Sequence, residues 1–210
     1  MTIYFTGDTH FGHGKIIKYC DRPFRTYFPQ KPIPPDYDGD EIDWNMDWKA
    51  SADKMDETLI QNWNARVQPD DTVYHLGDFV FMGEIQAGKI LDRLNGQKIL
   101  IFGNHDKTIK RSKELREKFI SCCDYLEINV SEGGEKQMIV LSHYAMIVWN
   151  KSHLNSWMLH GHSHGTLKYP FQMKIMDVGT DCHDYAPVSY EDVKQAMLKH
   201  KGEVVDHHGA

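Results

Sequence analysis

Five short apolar runs in this 210-residue chain each lead, within three residues, to a side chain suited to holding a metal ion. Ile3-Tyr4-Phe5 precedes Asp8 and His10, Val73-Tyr74-His75-Leu76 precedes Asp78, and Ile99-Leu100-Ile101-Phe102 precedes Asn104. Met138-Ile139-Val140-Leu141 precedes His143, and Trp157-Met158-Leu159 precedes His162 and His164. Runs of this length and composition read as buried strands. Strands of one sheet that end on a common edge deliver their loops to one crevice, which is where open α/β sheets bind ligands. The pattern therefore predicts an α/β fold in which residues distant in sequence build one site.

The donor types narrow the ligand. Imidazole nitrogens together with carboxylate oxygens suit Mn, Fe, Zn or Ni, whereas an all-oxygen set suits Mg or Ca. A lone His is more often a core or surface residue than a ligand. Seven such residues in five ordered clusters weigh heavily against that bland reading.

The clusters read GDTH, HLGD, FGNHD, LSHY and HGHSH. In this order they resemble the calcineurin-like metallophosphoesterase family, whose pattern is D-x-H, G-D, G-N-H-D/E, H and G-H-x-H. The resemblance implies a four-layer sandwich, two mixed β-sheets flanked by helices, as a single domain over 1–210. It implies one ion held by Asp8, His10, Asp78 and His164, and a second held by Asp78, Asn104, His143 and His162, with Asp78 bridging. Members of similar length, many from bacteria and phages, hydrolyse phosphodiesters, with Mn a common metal. Two ions 3.5 to 4 Å apart share a hydroxide, lower its pKa and aim it at phosphorus. His105, beside Asn104, is then placed to give a proton to the leaving oxygen.

One departure narrows the substrate. Serine/threonine phosphatases of the family read G-D-x-V-D-R-G, whereas this chain reads Gly77-Asp78-Phe79-Val80-Phe81-Met82-Gly83. The Arg that clamps a phosphate dianion by bidentate hydrogen bonds is absent. A more apolar wall with fewer cations fits a phosphodiester, with a cyclic or other small nucleotide-type diester as the expected substrate. A nucleotidase-like phosphomonoesterase is the alternative. A non-catalytic scaffold of the same fold is disfavoured by the intact His105 and ligand set.

Outside the clusters, His13 in HFGH and His183 in GTDCHDY are candidates to line the substrate pocket. Residues 21–49 combine five prolines, seven acidic residues and interleaved aromatics, and are expected to form a lid or insertion loop. The basic stretch Lys107 to Lys118 reads more simply as a solvated helix than as a phosphate track. Helices are expected at 15–19, 54–67, 84–94 and 191–200.

A formal charge of −6 weighs against long nucleic acid as a partner, because such affinity rests on cations meeting phosphates. A small phosphoester remains compatible, since bound metal would concentrate positive charge in the pocket. Mean hydropathy of −0.56 and the lack of a long apolar run predict a chain with no membrane segment. The start lacks a signal-peptide pattern, and the four cysteines lack disulfide or C-x-x-C spacing, so a cytoplasmic location is expected.

Overall fold

Each of the five apolar runs forms a strand. The computed structural model describes residues 1–29, 33, 36, 39, 44–132, 134–169, 172–203 and 205. Strands β1 (Ile3–Thr6), β2 (Thr72–His75), β3 (Gln97–Ile101) and β4 (Ser121–Cys123) run parallel, and β9 (Val188–Ser189) lies antiparallel on β1. Their order is β4-β3-β2-β1-β9. The second sheet has the order β5-β6-β7-β8, from β5 (Tyr125–Glu132), β6 (Glu135–Ser142), β7 (Trp157–His160) and β8 (Ile175–Asp177). Only the β5–β6 pair is antiparallel there, so both sheets are mixed.

Side chains alternate across a strand, and here both faces find apolar partners. Phe5, Ile99 and Ile101 of the first sheet meet Ile139, Leu141, Trp157 and Leu159 of the second, forming the inter-sheet core. Val73 and Leu100 point the other way, under helices. That layer consists of α1 (Ile16–Tyr19), α2 (Trp48–Arg66), α3 (Glu84–Leu91), α4 (Lys107–Arg111) and α5 (Lys113–Arg116). Trp63 of α2 is its largest fully buried side chain, and burying such a residue contributes roughly 1.5–3 kcal/mol or more. Helix α6 (Tyr190–Leu198) sends Tyr190, Val193 and Met197 into the inter-sheet core. The outer face of the second sheet, with Val140, Met158 and Ile175, is covered by Trp149 and Met173. The result is the expected α/β arrangement of two mixed sheets flanked by helices.

Helix α2 begins at Trp48, six residues before the sequence expectation, because the Asp47 side chain accepts the Ala50 N–H at 2.9 Å and caps it. The start of α2 therefore takes Trp48 and Lys49 out of the expected 21–49 loop. The described ends of that loop are pinned together: Phe28 N–H donates to Asn45 O and Asp47 N–H to Thr26 O, both at 2.8 Å. Phe24 and Met46 are buried beneath. Most of 30–43, and with it the lid expectation, lies outside the described residues.

The basic stretch is two short helices broken at Ser112, which is extended and caps α5 through Leu115 N–H. Lys110 pairs with Asp124 at 2.8 Å, Lys118 with Asp92, and Lys113 with Glu117 at 3.6 Å, so these cations have acidic neighbours on the surface. Among the described residues, no helix is long and apolar enough to cross a membrane.

Candidate metal centre

Backbone pairing continues past the strand ends into the ligand loops. Asp8 N–H donates to Gly77 O (2.9 Å), His10 N–H to Asp78 O (3.0 Å), Gly161 N–H to His143 O (3.1 Å) and Thr180 N–H to Gly7 O (2.9 Å). These bonds fasten the loops of both sheets into one edge. Asp8, His10, Asp78, His162 and His164 have φ of 53°, 50°, 55°, 67° and 47°. Non-glycine residues seldom occupy this left-handed region, at about 1–3 kcal/mol each, and they do so chiefly at functional sites. Close approach also dictates two glycines. A Cβ on Gly103 would lie 2.3 Å from Asp78 Oδ1, and one on Gly161 would lie 2.6 Å from Asp8 Oδ2.

The seven predicted ligand residues gather at this edge. Asp8, His10 and His164 form one group and Asp78, His143 and His162 another, with donor atoms in each within 4.8 Å of one another. Between the groups, Asp78 Oδ2 lies 3.7 Å from His10 Nε2 and 3.6 Å from His143 Nε2. Asn104 Oδ1 is 3.0 Å from His143 Nε2. Each group draws on both sheets, since Asp8, His10, Asp78 and Asn104 follow β1, β2 and β3, whereas His143, His162 and His164 follow β6 and β7.

Two features fit these residues to a cation. His10 Nε2 is buried and has no hydrogen-bond partner among the described residues. His143 Nδ1 lies 2.7 Å from the Leu76 carbonyl, which can only accept, so Nδ1 carries the proton and Nε2 presents a lone pair. That lone pair then faces the Asn104 and Asp78 oxygens, acceptor against acceptor, an arrangement that a metal ion resolves. Electrostatics agree. Burial drives the Asp8 carboxyl well above the usual carboxylate range, although the His164 charge and two contacts from His162 N–H oppose it. Burial, and then the Arg22 charge, hold His10 well below its ordinary value, so its imidazole is neutral and ready to ligate.

Behind His164 lies a pair that the sequence did not disclose. Arg22 has no exposed surface and forks onto Asp181, Nε to Oδ1 and Nη2 to Oδ2, each at 2.7 Å. The same guanidinium donates to the carbonyls of Asp8 (2.7 Å) and Thr9 (3.1 Å). Asp181 Oδ2 also sits 2.6 Å from His164 Nδ1. This carboxylate–imidazole contact is the kind that orients a metal-binding His and fixes its tautomer. Burial opposes the charge on Asp181, but its bonds to His164 and Arg22 outweigh that and hold it below the usual range. Burial likewise opposes the His164 charge, but Asp181 prevails and pushes it up to about 10. Nothing local marks Arg22 as buried in sequence, and only the proximity of Asp181 to His183 hinted at this loop.

The remaining predicted residues divide. His105 is exposed at the mouth, its N–H donating to Asp78 Oδ1 at 2.8 Å and its ring 5.7 Å from that of His10. Asp106 is fully buried and accepts from the N–H groups of Asp78, Phe79 and Gly103, so it locks two ligand loops together. His13 lies beside His10, the two Nδ1 atoms 3.5 Å apart, and its ring stacks on Phe81. Burial and the His105 charge bring His13 down to about 4. His183 is engaged elsewhere, with Nε2 donating to the Asp177 carbonyl at 2.9 Å, which holds a turn. A pocket of about 680 Å³ opens beside the centre between Tyr19, Cys20, His162, His164, Leu167 and Lys168.

Comparison with known proteins agrees with this fold. The model of the calcineurin-like phosphoesterases matches residues 1–209. The uncharacterized protein MJ1445 of Methanocaldococcus jannaschii is 32% identical over 210 residues, covering 97% of this chain and 94% of its own. Gene 66 protein of Mycobacterium phage D29 is 26% identical over 214 residues, covering 89% of this chain and 92% of its own. The crystal structure of the Aquifex aeolicus protein of unknown function AQ665 shares the fold, with a TM-score of 0.61 and 24% identity over 93% of this chain and 98% of that one. The chain belongs to the calcineurin-like phosphoesterase family.

Proposed function

We propose that this phosphoesterase is a two-metal phosphodiesterase of small, nucleotide-type diesters, working as one domain. The observation that carries the reading is the placement of Asp78 Oδ2 between His10 Nε2 and His143 Nε2, at 3.7 and 3.6 Å. Asp8, His10, Asp78 and His164 would hold one ion, and Asp78, Asn104, His143 and His162 the other. The His-rich donor set favours Mn, with Fe, Zn or Ni also suited. When bound, such ions supply a water nucleophile at neutral pH and neutralise charge on the phosphoryl oxygens. His105 would give the leaving oxygen its proton, an effect typically worth roughly 10²- to 10⁴-fold in rate. Its backbone bond to Asp78 supports that role by tying the proton donor to the shared ligand.

Phe81, an apolar ring beside His13 and His105, supports a diester over a monoester. Arg22 is buried behind the ligand loops and committed to Asp181, so it offers no clamp to a phosphate dianion. The four cysteines are free, which suits a reducing cytoplasm.

The test uses protein stripped of metal and reloaded with Mn, comparing bis(p-nitrophenyl) phosphate with p-nitrophenyl phosphate. Metal-dependent preference for the diester is expected, with two ions bound per chain. Monoester preference would overturn the diester reading in favour of a phosphatase. His105→Ala should keep both ions and lose at least roughly 10²-fold in kcat; full turnover in that variant would remove His105 from the mechanism.

A further inference from the structure

Phe81 presents an aromatic surface that packing does not explain. An apolar ring on a segment hydrogen-bonded to the first ligand loop would ordinarily turn inward, as its neighbours Phe79 and Val80 do, each with 1% or less exposed. Phe81 is 48% exposed instead. Its backbone is held firmly, since Phe81 N–H donates to Phe11 O at 2.7 Å and Val80 bridges Phe11. The ring stacks on His13, with centroids 4.1 Å apart and planes 13° from parallel. It also lies 5.3 Å from the His105 ring. His13 is in turn one ring removed from His10, with centroids 5.4 Å apart, and Tyr19 stands edge-on to it at 6.4 Å. An aromatic shelf thus runs outward from the metal-binding edge on the side where His105 stands.

We infer that Phe81 is a specificity-determining residue, the stacking platform for a planar aromatic group of the nucleobase class carried by the substrate's phosphoester. The inference rests on the phosphoesterase reading of the site and specifies its substrate. A phosphate at the metal-binding edge, joined through a sugar to a flat ring, spans the distance from the ligand cluster to a platform one aromatic ring further out. Stacking on such a face tolerates any base, because every base has a π-surface. The shelf therefore selects for the presence of a base more than for its identity.

The test reads binding directly, so that it does not depend on which ester is cleaved. Metal-loaded protein is titrated calorimetrically with the methylphosphinate analogues of the methyl diesters of adenosine 5′-phosphate and of glycerol 3-phosphate, which carry the single charge of a phosphodiester and are not hydrolysed. Wild type should bind the adenosine compound tighter by roughly 5-fold or more. Phe81→Ala should lose that margin while keeping its affinity for the glycerol compound and its metal content. Phe81→Tyr should restore the margin, and a loss in Phe81→Ala confined to the adenosine compound is what a merely structural role would not predict. Equal affinity of wild type for the two probes, no binding of either, or an unchanged margin in Phe81→Ala would each overturn the inference. Failure of the diesterase reading is seen separately, as monoester preference with the p-nitrophenyl substrates.

Discussion

Replacing Arg22 with Met removes the cation that ties the Asp8–Thr9 loop to the Asp181 loop from behind. Met approximates the aliphatic length, so the perturbation is chiefly electrostatic. It leaves Asp181, whose side chain is 8% exposed, without its two 2.7 Å bonds, and it leaves the carbonyls of Asp8 and Thr9 without their donor. Breaking a buried ion pair by deleting one partner costs about 3–5 kcal/mol, and His164, still 2.6 Å from Asp181, places this case toward the lower end. The carbonyl losses act in the same direction but share one side chain, so they are not added. For a chain of this size each kcal/mol moves the melting temperature by about 2–4 °C, which gives a fall of roughly 6–20 °C. Calorimetry on metal-stripped protein is the appropriate assay, because metal binding would otherwise add stability of its own. Arg22→Lys should fall between, since it keeps the charge and loses the fork. In Arg22→Met/Asp181→Asn the two losses should be less than additive. Melting of Arg22→Met within about 3 °C of wild type, or strict additivity in the double variant, would refute the reasoning.

Two further perturbations probe the loops and their titration. Gly103→Ala should bind fewer than two ions per chain by elemental analysis, because its Cβ would lie 2.3 Å from Asp78 Oδ1 and 2.5 Å from Asp78 N, and the nitrogen is backbone that cannot swing aside. Normal metal content and melting in that variant would contradict the packing. Asp56 in α2 accepts the Gly12 N–H at 2.9 Å, and burial pushes its pKa up to about 7. The unfolded chain titrates near 4, so the native state binds more protons and stability falls as pH rises from about 4 through 7. Asp56→Asn keeps the acceptor without the charge. Its melting temperature should match wild type near pH 4 and exceed it at pH 8, by an amount on the order of a few kcal/mol in stability; no gain at pH 8 would mean that the Gly12 bond already offsets the burial.

What the sequence disclosed, and what it withheld, follows from the range over which each signal acts. Strand and ligand were adjacent in the chain, so Ile99 to Asn104 announced both a buried strand and a loop at its end. Whether five such ends share one edge was open until the parallel order β3-β2-β1 and the pairing of β6 with β7 were known. Asp106 was visible but its direction was not, since only the fold shows that it accepts three N–H groups and turns into the protein. Asp47 and Ser112 moved helix boundaries because a cap depends on the rotamer of one side chain, which periodicity does not report. Arg22 and Asp181 were least legible, being 159 positions apart and ordinary in composition. His183 drew notice for its place in the same segment, yet its neighbour Asp181 is the one that reaches a metal-ligand candidate.

Arg22 does from the interior what metal would do from the solvent side. Each ligand group takes residues from loops of both sheets, so an ion in either would join the two sheets at their common edge. Arg22 joins the same two sheets, binding the Asp8 and Thr9 carbonyls after β1 and the Asp181 carboxylate after β8. Buried pairs of this kind add little net stability compared with an apolar replacement, since desolvation consumes most of the attraction. Their directional bonds nevertheless fix which loop meets which. Five candidate ligand positions stay left-handed against a cost of about 1–3 kcal/mol each, which requires a surrounding that over-determines them. The Arg22 fork, the three bonds to Asp106 and the glycine contacts at Gly103 and Gly161 supply that surrounding within the polypeptide itself.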